Sequence, residues 1–296
     1  MADVTDAETD LDDEEGGEVE QTRMTLVEHL AELRSRLFKC IIAVAIGGVL
    51  CWVFYNQILE FLLQPYCDIA DGACSLYVTD PLEGFTVRLK VAGYGGIALA
   101  MPVILWQFWR FITPGLYKHE RRMAIPFVAS ALVLFALGAS LAYLTLPKAL
   151  GFLRDVGGSE LTEIYSPVKY ITLILYMMLA FGIGFEFPIV LVFAQMAGLV
   201  TPEQLASGRR WAIVIIFVAV AILTPSGDPY SQIMLSLPMV LFYAFVFHAR
   251  QCGLLRGRKL AFAVLIGFSL MLGIYLVRAL LGLSYYHFWE SSPWAS

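Results

Sequence analysis

The sequence predicts an all-α fold: a polytopic membrane helical bundle of six transmembrane helices plus a seventh, with the N-terminus in the cytoplasm. Three observations support this prediction: an apolar composition, recurring long apolar runs, and an uneven distribution of basic residues between those runs. Of the 296 residues, 59% are hydrophobic and 15% are charged, and the mean hydropathy is +0.71. Soluble domains contain about 45–50% apolar and about 25% charged residues, and their surface cannot cover a larger apolar excess. The composition therefore excludes a soluble enzyme, a nucleic-acid-binding protein and a disordered protein.

Residues 1–23 are predicted to form a disordered, acidic cytoplasmic tail. The first 20 residues contain ten acidic side chains and no basic one, whereas the whole chain carries a net charge of −5. Residues 21–296 therefore carry +5, and the acidic balance of the chain belongs to the tail alone. The tail has almost no apolar content and lacks the basic and apolar regions of a signal peptide.

The rest of the chain contains seven apolar runs that are candidate membrane spans. They cover residues 38–54, 89–109, 123–146, 170–197, 211–223, 232–248 and 260–277. About 20 helical residues cross a hydrocarbon core of roughly 30 Å, so the fifth run is too short to span without help. A tight turn over residues 224–229, rich in Pro and Gly, predicts that the fifth and sixth runs form a hairpin.

Basic residues between the runs set the predicted orientation. With a cytoplasmic N-terminus, fourteen Lys and Arg residues lie inside and six lie outside, in agreement with the positive-inside rule. The seventh run follows a basic cluster at residues 250–259, and residues 285–296 contain no Lys or Arg. This asymmetry favours a true crossing, with the C-terminus outside, over an interfacial or re-entrant helix.

Two carboxylates are candidate ligand-binding groups on the cytoplasmic surface. Residues 25–38 predict an amphipathic helix with a leucine stripe, and its polar face carries Glu32 and Arg36. One interpretation of Glu32 is an ordinary i,i+4 ion pair with Arg36, and the other is a carboxylate exposed to a cationic ligand. Glu120 either neutralises Arg121 or faces Glu32 across the same surface. Two such carboxylates could each bind a guanidinium group bidentately, which Lys would do poorly.

Glu186 is a carboxylate at predicted membrane depth, within the fourth run. Such a residue costs about 2.5–3.5 kcal/mol on insertion scales and is therefore a candidate functional group. One alternative is a protonated glutamic acid that is hydrogen-bonded within the bundle, and the other is part of a polar patch on a concave face. Gln195 and Gln232 are candidate neighbours, and Pro188 predicts a kink in this helix.

The remaining motifs predict no catalytic, cofactor or metal site. Cys67 and Cys74 lie in an outside loop, where they form either a structural disulfide or two free thiols. Residues 93–98 match G-x-G-x-x-A but lie inside an apolar run with no preceding strand, so a dinucleotide site is not predicted. The four histidines do not have metal-ligand spacing.

Six motifs resemble the TatC family, the multispanning subunit of the twin-arginine protein translocase. They cover residues 29–37 (HLAELRSRL), 81–85 (PLEGF), 101–103 (MPV), 111–122 (FITPGLYKHERR), 181–188 (FGIGFEFP) and 224–232 (TPSGDPYSQ). The resemblance implies a TatC-like transmembrane domain at residues 24–250, with residues 251–296 as a C-terminal extension that carries the seventh helix.

The resemblance implies a receptor for twin-arginine signal peptides that exports folded proteins with the proton-motive force. It implies a signal-peptide site formed by Glu32, Glu120, Arg34, Phe111, Leu116, His29 and Tyr117. It implies an intramembrane polar role for Glu186 and Gln232, and structural or partner contacts at Pro65, Pro102 and Asp228. The implied partners are TatB and TatA, in an oligomer of TatB–TatC units in the bacterial inner membrane. The alternative function is a proton-coupled small-solute transporter in which Glu186 takes up the proton.

Overall fold

The computed structural model describes residues 26–67, 76–112, 124–157, 165–196, 207–224 and 227–251, together with Thr201 and Gln204. These residues form helices, and no strand occurs among them. The helices are α1 Leu26–Val53, α2 Tyr55–Cys67, α3 Glu83–Ile112, α4 Ala124–Gly157, α5 Pro167–Gly184, α6 Phe187–Met196, α7 Arg209–Leu223 and α8 Pro229–Gln251.

Within the part of the chain that the structure describes, four segments are long and apolar enough to cross a membrane: Leu30–Val53, Glu83–Phe111, Phe127–Gly157 and Pro167–Leu191. They contain or overlap the first four predicted runs. The predicted amphipathic helix and the first run form one continuous helix, α1, because no Gly or Pro interrupts residues 26–46. The fifth and sixth runs lie within α7 and α8, and α7 has only 15 residues. The acidic tail and the seventh run at 260–277 lie outside the described residues.

The core of the bundle lies where α4 packs against α5 and α8 packs against α4, α6 and α7. Its fully buried side chains include Phe181, Phe185, Phe242, Leu134 and Leu146. Gly138 permits the close approach of α4 to α5, because a Cβ there would lie 2.6 Å from the Phe181 carbonyl oxygen. In a membrane, where lipid is as apolar as leucine, such close backbone packing is a main source of helix association.

Two helices are peripheral. α1 packs mainly against α3, and α7 packs mainly against α8. Most large side chains of α7 are exposed, including Trp211 at 72% and Ile222 at 77%. An apolar helix that exposes such side chains is suited to contact with lipid or with another apolar helix.

A pair of glycine-rich segments joins α1 to α3. A Cβ on Gly96 would lie 2.7 Å from the Gly48 nitrogen and 2.8 Å from the Val44 carbonyl oxygen. One on Gly95 would lie 2.7 Å from the Cys51 sulfur. The G-x-G-x-x-A match at residues 93–98 is therefore part of a helix-packing surface, which agrees with the rejection of a dinucleotide site.

Helix α2, which none of the predicted apolar runs contains, covers the end of the bundle opposite to the start of α1. The Tyr143 hydroxyl of α4 donates to the Phe61 carbonyl at 2.9 Å, and the Tyr170 hydroxyl of α5 donates to the Leu62 carbonyl at 2.9 Å. Pro65 has no N–H and cannot bond the Phe61 carbonyl four residues earlier. The Tyr143 hydroxyl therefore satisfies an oxygen that proline leaves free.

Candidate functional site

Glu32 and Arg36 lie one turn apart near the start of α1. The Arg36 Nε donates to Glu32 Oε1 at 3.0 Å, and the Arg36 Nη2 donates to the same oxygen. The Arg36 Nη1 is 3.4 Å from the Gln107 Oε1, near the end of α3. The side chains of Arg36 and Glu32 are 14% and 22% exposed, so this is a partly buried ion pair rather than a surface one.

The second carboxylate oxygen of Glu32 has a different environment from the first. Oε2 is screened from solvent and has no hydrogen-bond partner among the described residues. A buried carboxylate oxygen without a donor costs about 1–3 kcal/mol, because the hydration that it lost is not replaced. The predicted i,i+4 ion pair is therefore present, and it leaves half of the carboxylate unsatisfied.

An aromatic cluster holds the end of α3 beside this ion pair. The Trp109 ring lies 4.3 Å from the Phe127 ring of α4 and 5.7 Å from the Phe193 ring of α6, measured between centroids. Trp109 is 4% exposed. Two positions separate Trp109 from Gln107, so this packing limits the movement of the segment that contacts Arg36.

The other predicted signal-peptide residues fall into two groups. Arg34 is exposed on α1, and Phe111 is partly buried at the end of α3. His29 lies in α1, but the placement of its side chain is outside the described set. Glu120, Leu116 and Tyr117 lie outside the described residues, so the pairing of two carboxylates stays a prediction. The structure brings Glu32 together with Arg36 and Gln107, and Gln107 was not among the predicted site residues.

Glu186 lies in a break between two helices, as the Pro188 position predicts. α5 ends at Gly184 and α6 begins at Phe187. The Glu186 N–H donates to the Ile183 carbonyl at 3.0 Å, three residues earlier, instead of continuing the regular helical pattern. The Glu186 Oε1 is buried and has no hydrogen-bond partner among the described residues. Gln195 lies in α6, and its side chain is outside the described set.

Asp228 and Gln232 organise the start of α8. The Asp228 Oδ1 accepts a hydrogen bond of 2.6 Å from the Ser231 N–H, and Pro229 follows at the first helical position. This is the arrangement of a helix N-cap. The Gln232 Nε2 is 3.5 Å from the Phe217 carbonyl of α7, and Gly227 has a φ of +59° in the connecting turn. The predicted α7–α8 hairpin is confirmed.

The remaining predicted positions lie in or at the end of helices. Pro102 is exposed within α3, and Pro65 is buried within α2. Cys67 ends α2 and is disulfide-bonded. Cys74 lies outside the described residues, so its pairing with Cys67 stays a prediction. Among the residues that the structure describes, no cluster of three or more His, Cys, Asp or Glu side chains could hold a metal ion.

Two polar clusters near the α2 end of the bundle were not predicted from the sequence. The Arg88 guanidinium donates to the Trp52 carbonyl at 3.2 Å and lies 4.7 Å from the Trp52 ring centroid. Glu83 accepts hydrogen bonds from the Thr79 N–H at 3.0 Å and from the Ser166 hydroxyl at 2.6 Å. Glu83 stands in the PLEGF motif, and that match was the only signal for it.

The fold and these sites define a multi-pass helical membrane protein with a partly satisfied carboxylate at one end of the bundle and a second at a helix break. The model of the family described as Sec-independent protein translocase protein (TatC) matches residues 28–238. The chain belongs to the TatC family. The resemblance noted in the sequence is confirmed, and the chain is a protein-transport component of the translocase class.

Individual relatives agree with this assignment. The chain is 43% identical over 236 residues to the Sec-independent protein translocase protein TatC of Frankia casuarinae, covering 76% of this chain and 65% of that protein. It is 44% identical over 223 residues to the TatC protein of Aquifex aeolicus, covering 74% of this chain and 92% of that protein. A crystal structure of the twin arginine translocase receptor TatC matches with a TM-score of 0.65 and 41% identity, covering 76% of this chain and 99% of that one.

Proposed function

We propose that this chain is the signal-peptide receptor and core subunit of a twin-arginine translocase, which exports folded proteins by using the proton-motive force. The observation that carries the proposal is the Glu32 carboxylate, which is partly buried and has one oxygen without a donor among the described residues. A guanidinium group from a signal peptide would supply the missing donors in fork geometry. The proposed function is transport without catalysis, and it requires no cofactor.

The proposed topology places Glu32 on the cytoplasmic side of the bacterial inner membrane. Six of the seven apolar runs form the family-like spans, and the seventh is an addition in the C-terminal extension. The excess of basic residues on one side of the membrane supports this orientation. Signal peptides approach from the cytoplasm, so the receptor carboxylate has to face that compartment.

The proposed binding site extends beyond Glu32. Glu120 supplies the second carboxylate, and Arg34, His29 and Phe111 line the surface near α1 and the end of α3. Leu116 and Tyr117 complete this surface in the segment between α3 and α4. The chemical reason for two carboxylates is that each matches one arginine of a consecutive pair.

The single-span subunits TatB and TatA are the proposed partners, in an oligomer of TatB–TatC units. The exposed apolar face of α7 and the polar Gln232 beside it support a contact with a helix inside the membrane. Glu186 is the proposed polar residue of the concave membrane face. Pro65, Pro102 and Asp228 are proposed to maintain the geometry of the loops and helix ends around these contacts.

A peptide-binding measurement tests the receptor function. The full chain in lipid nanodiscs is titrated with a fluorescent signal-like peptide that contains Arg-Arg and with one that contains Lys-Lys. We expect tighter binding of the Arg-Arg peptide, and we expect Glu32→Gln and Glu120→Gln each to weaken it by about tenfold or more. Glu60→Gln on α2 removes an exposed carboxylate at the opposite end and serves as the matched control. Equal binding of both peptides, or equal loss in the control, would overturn the proposal.

A further inference from the structure

Arg36 occupies the carboxylate that the proposed function assigns to the signal peptide. Two of its nitrogens donate to Glu32 Oε1, and Oε2 is screened from solvent. Neither oxygen is therefore open to an incoming cation. A ligand guanidinium can reach the carboxylate only after the Arg36 side chain moves.

We infer that Arg36 is an internal competitor for the Glu32 carboxylate, and that an arriving arginine of the signal peptide displaces it. This inference rests on the proposed receptor function and adds to it the residue that sets the binding threshold. The Arg36 guanidinium has a second acceptor nearby, because its Nη1 is already 3.4 Å from the Gln107 Oε1 on α3. On displacement, Arg36 turns towards Gln107.

The electrostatic balance of the site supports displacement over simultaneous binding. Glu32 and Arg36 together are neutral, so a third charged group would face one cation and a carboxylate that is already compensated. Two guanidinium groups on one carboxylate repel each other. This repulsion is weakly screened here, because the side chains of Arg36 and Glu32 are mostly buried. Exchange keeps one cation per carboxylate.

The Glu32 Oε2, which has no donor among the described residues, gives the incoming arginine an advantage over Arg36. Arg36 is tied to α1 four residues from Glu32 and bonds only Oε1. A guanidinium from a separate peptide is free to approach with its fork across both oxygens and to satisfy Oε2 as well. A lysine ammonium lacks the fork and gains less from the same exchange.

Two properties of the receptor therefore have separate origins. The fork geometry sets the ratio of Arg-Arg to Lys-Lys affinity. The cost of moving Arg36 is the same whichever cation arrives, so it lowers both affinities by the same factor. At a fixed peptide concentration this common penalty leaves only the stronger ligand bound.

The test measures both peptides on Arg36→Gln in the full chain in nanodiscs. We expect the affinity for Arg-Arg and for Lys-Lys peptides to rise by the same factor, about fivefold, as the loss of a partly buried ion pair implies. Arg110→Gln removes the same charge from an exposed position near the end of α3 and is the matched control, with an expected change below about twofold. Arg36→Ala is a second variant in case the first folds poorly.

The possible outcomes separate this inference from the proposed function. If Arg36→Gln weakens both peptides, Arg36 helps to hold the ligand and the displacement model is wrong. If Arg110→Gln strengthens binding as much as Arg36→Gln does, general charge is responsible and the inference also fails. If Glu32→Gln leaves Arg-Arg binding unchanged, the receptor assignment of Glu32 itself fails.

Discussion

The hydrogen bond from Tyr143 to the Phe61 carbonyl, an oxygen that Pro65 leaves without a helical donor, leads to a quantitative prediction about the α2 end of the bundle. Pro65 cannot donate to the Phe61 carbonyl, and the Tyr143 hydroxyl bonds this oxygen at 2.9 Å. Tyr143→Phe removes the hydroxyl but keeps the ring, which stacks on Phe61 with centroids 4.4 Å apart. In Pro65→Ala, the new N–H can bond the Phe61 carbonyl within the helix. The tyrosine hydroxyl should therefore contribute more to stability when proline is present.

The expected magnitude follows from the partial exposure of this hydrogen bond. A neutral intramolecular hydrogen bond contributes about 0.5–1.5 kcal/mol, and water can replace part of an exposed one. We expect Tyr143→Phe to lower the free energy of unfolding by about 1 kcal/mol when Pro65 is present and by about 0.5 kcal/mol in the Pro65→Ala background, where the Phe61 carbonyl has its helical donor. The coupling energy between the two positions is then about 0.5 kcal/mol, and the packing lost with the proline ring cancels from it.

The assay is reversible unfolding of the purified protein in mixed micelles, followed by circular dichroism for the four members of the mutant cycle. Tyr170→Phe provides a matched control. The Leu62 carbonyl, which accepts from Tyr170 at 2.9 Å, also faces the Tyr66 N–H of its own helix whatever residue occupies position 65. The cost of Tyr170→Phe in unfolding free energy should therefore be the same with Pro65 and with the Pro65→Ala substitution. An equal cost of Tyr143→Phe with Pro65 and with the Pro65→Ala substitution would refute the reasoning.

Three further predictions concern packing, capping and helix length. Gly96→Ala places a methyl group against the α1 backbone and should lower the free energy of unfolding by about 1–3 kcal/mol. Gly93→Ala, where a Cβ meets nothing within 4 Å, should not lower it. The same unfolding assay measures both variants, and equal costs would contradict the close approach of α1 and α3. Asp228→Ala should cost about 1 kcal/mol through the lost N-cap, and Asp228→Asn should retain most of it, since both residues cap well. α7 is only about 22 Å long at 1.5 Å per residue, so it should thin the bilayer beside it. Inserting four leucines into α7 should relieve this thinning and impair export of a folded reporter protein. Unchanged export would contradict a role for the short helix.

Sequence patterns predicted the features that depend on local chemistry. The apolar runs located the described helices other than α2, Pro188 located the break beside Glu186, and the turn before Pro229 located the α7–α8 hairpin. Features that depend on which surfaces meet were not predictable in this way. Both interpretations of Glu32 fit the same sequence. The structure shows that Arg36 bonds one carboxylate oxygen of Glu32, and that the packing of α1 on α3 brings Arg36 within reach of Gln107.

The α1–α3 contact connects the packing of the bundle to the geometry of the candidate receptor site. α1 packs mainly against α3, so the position of Glu32 relative to Gln107 depends on how closely these two helices approach. That approach is set by Gly48 and Gly96, where the backbones meet without intervening side chains. Residues 32 and 48 are about 24 Å apart along the helix at 1.5 Å per residue, yet a rigid helix transmits a small change in separation or tilt over that distance. Side chains at the glycine contact would therefore alter the Arg36–Gln107 distance and the affinity for an arginine pair without touching either carboxylate.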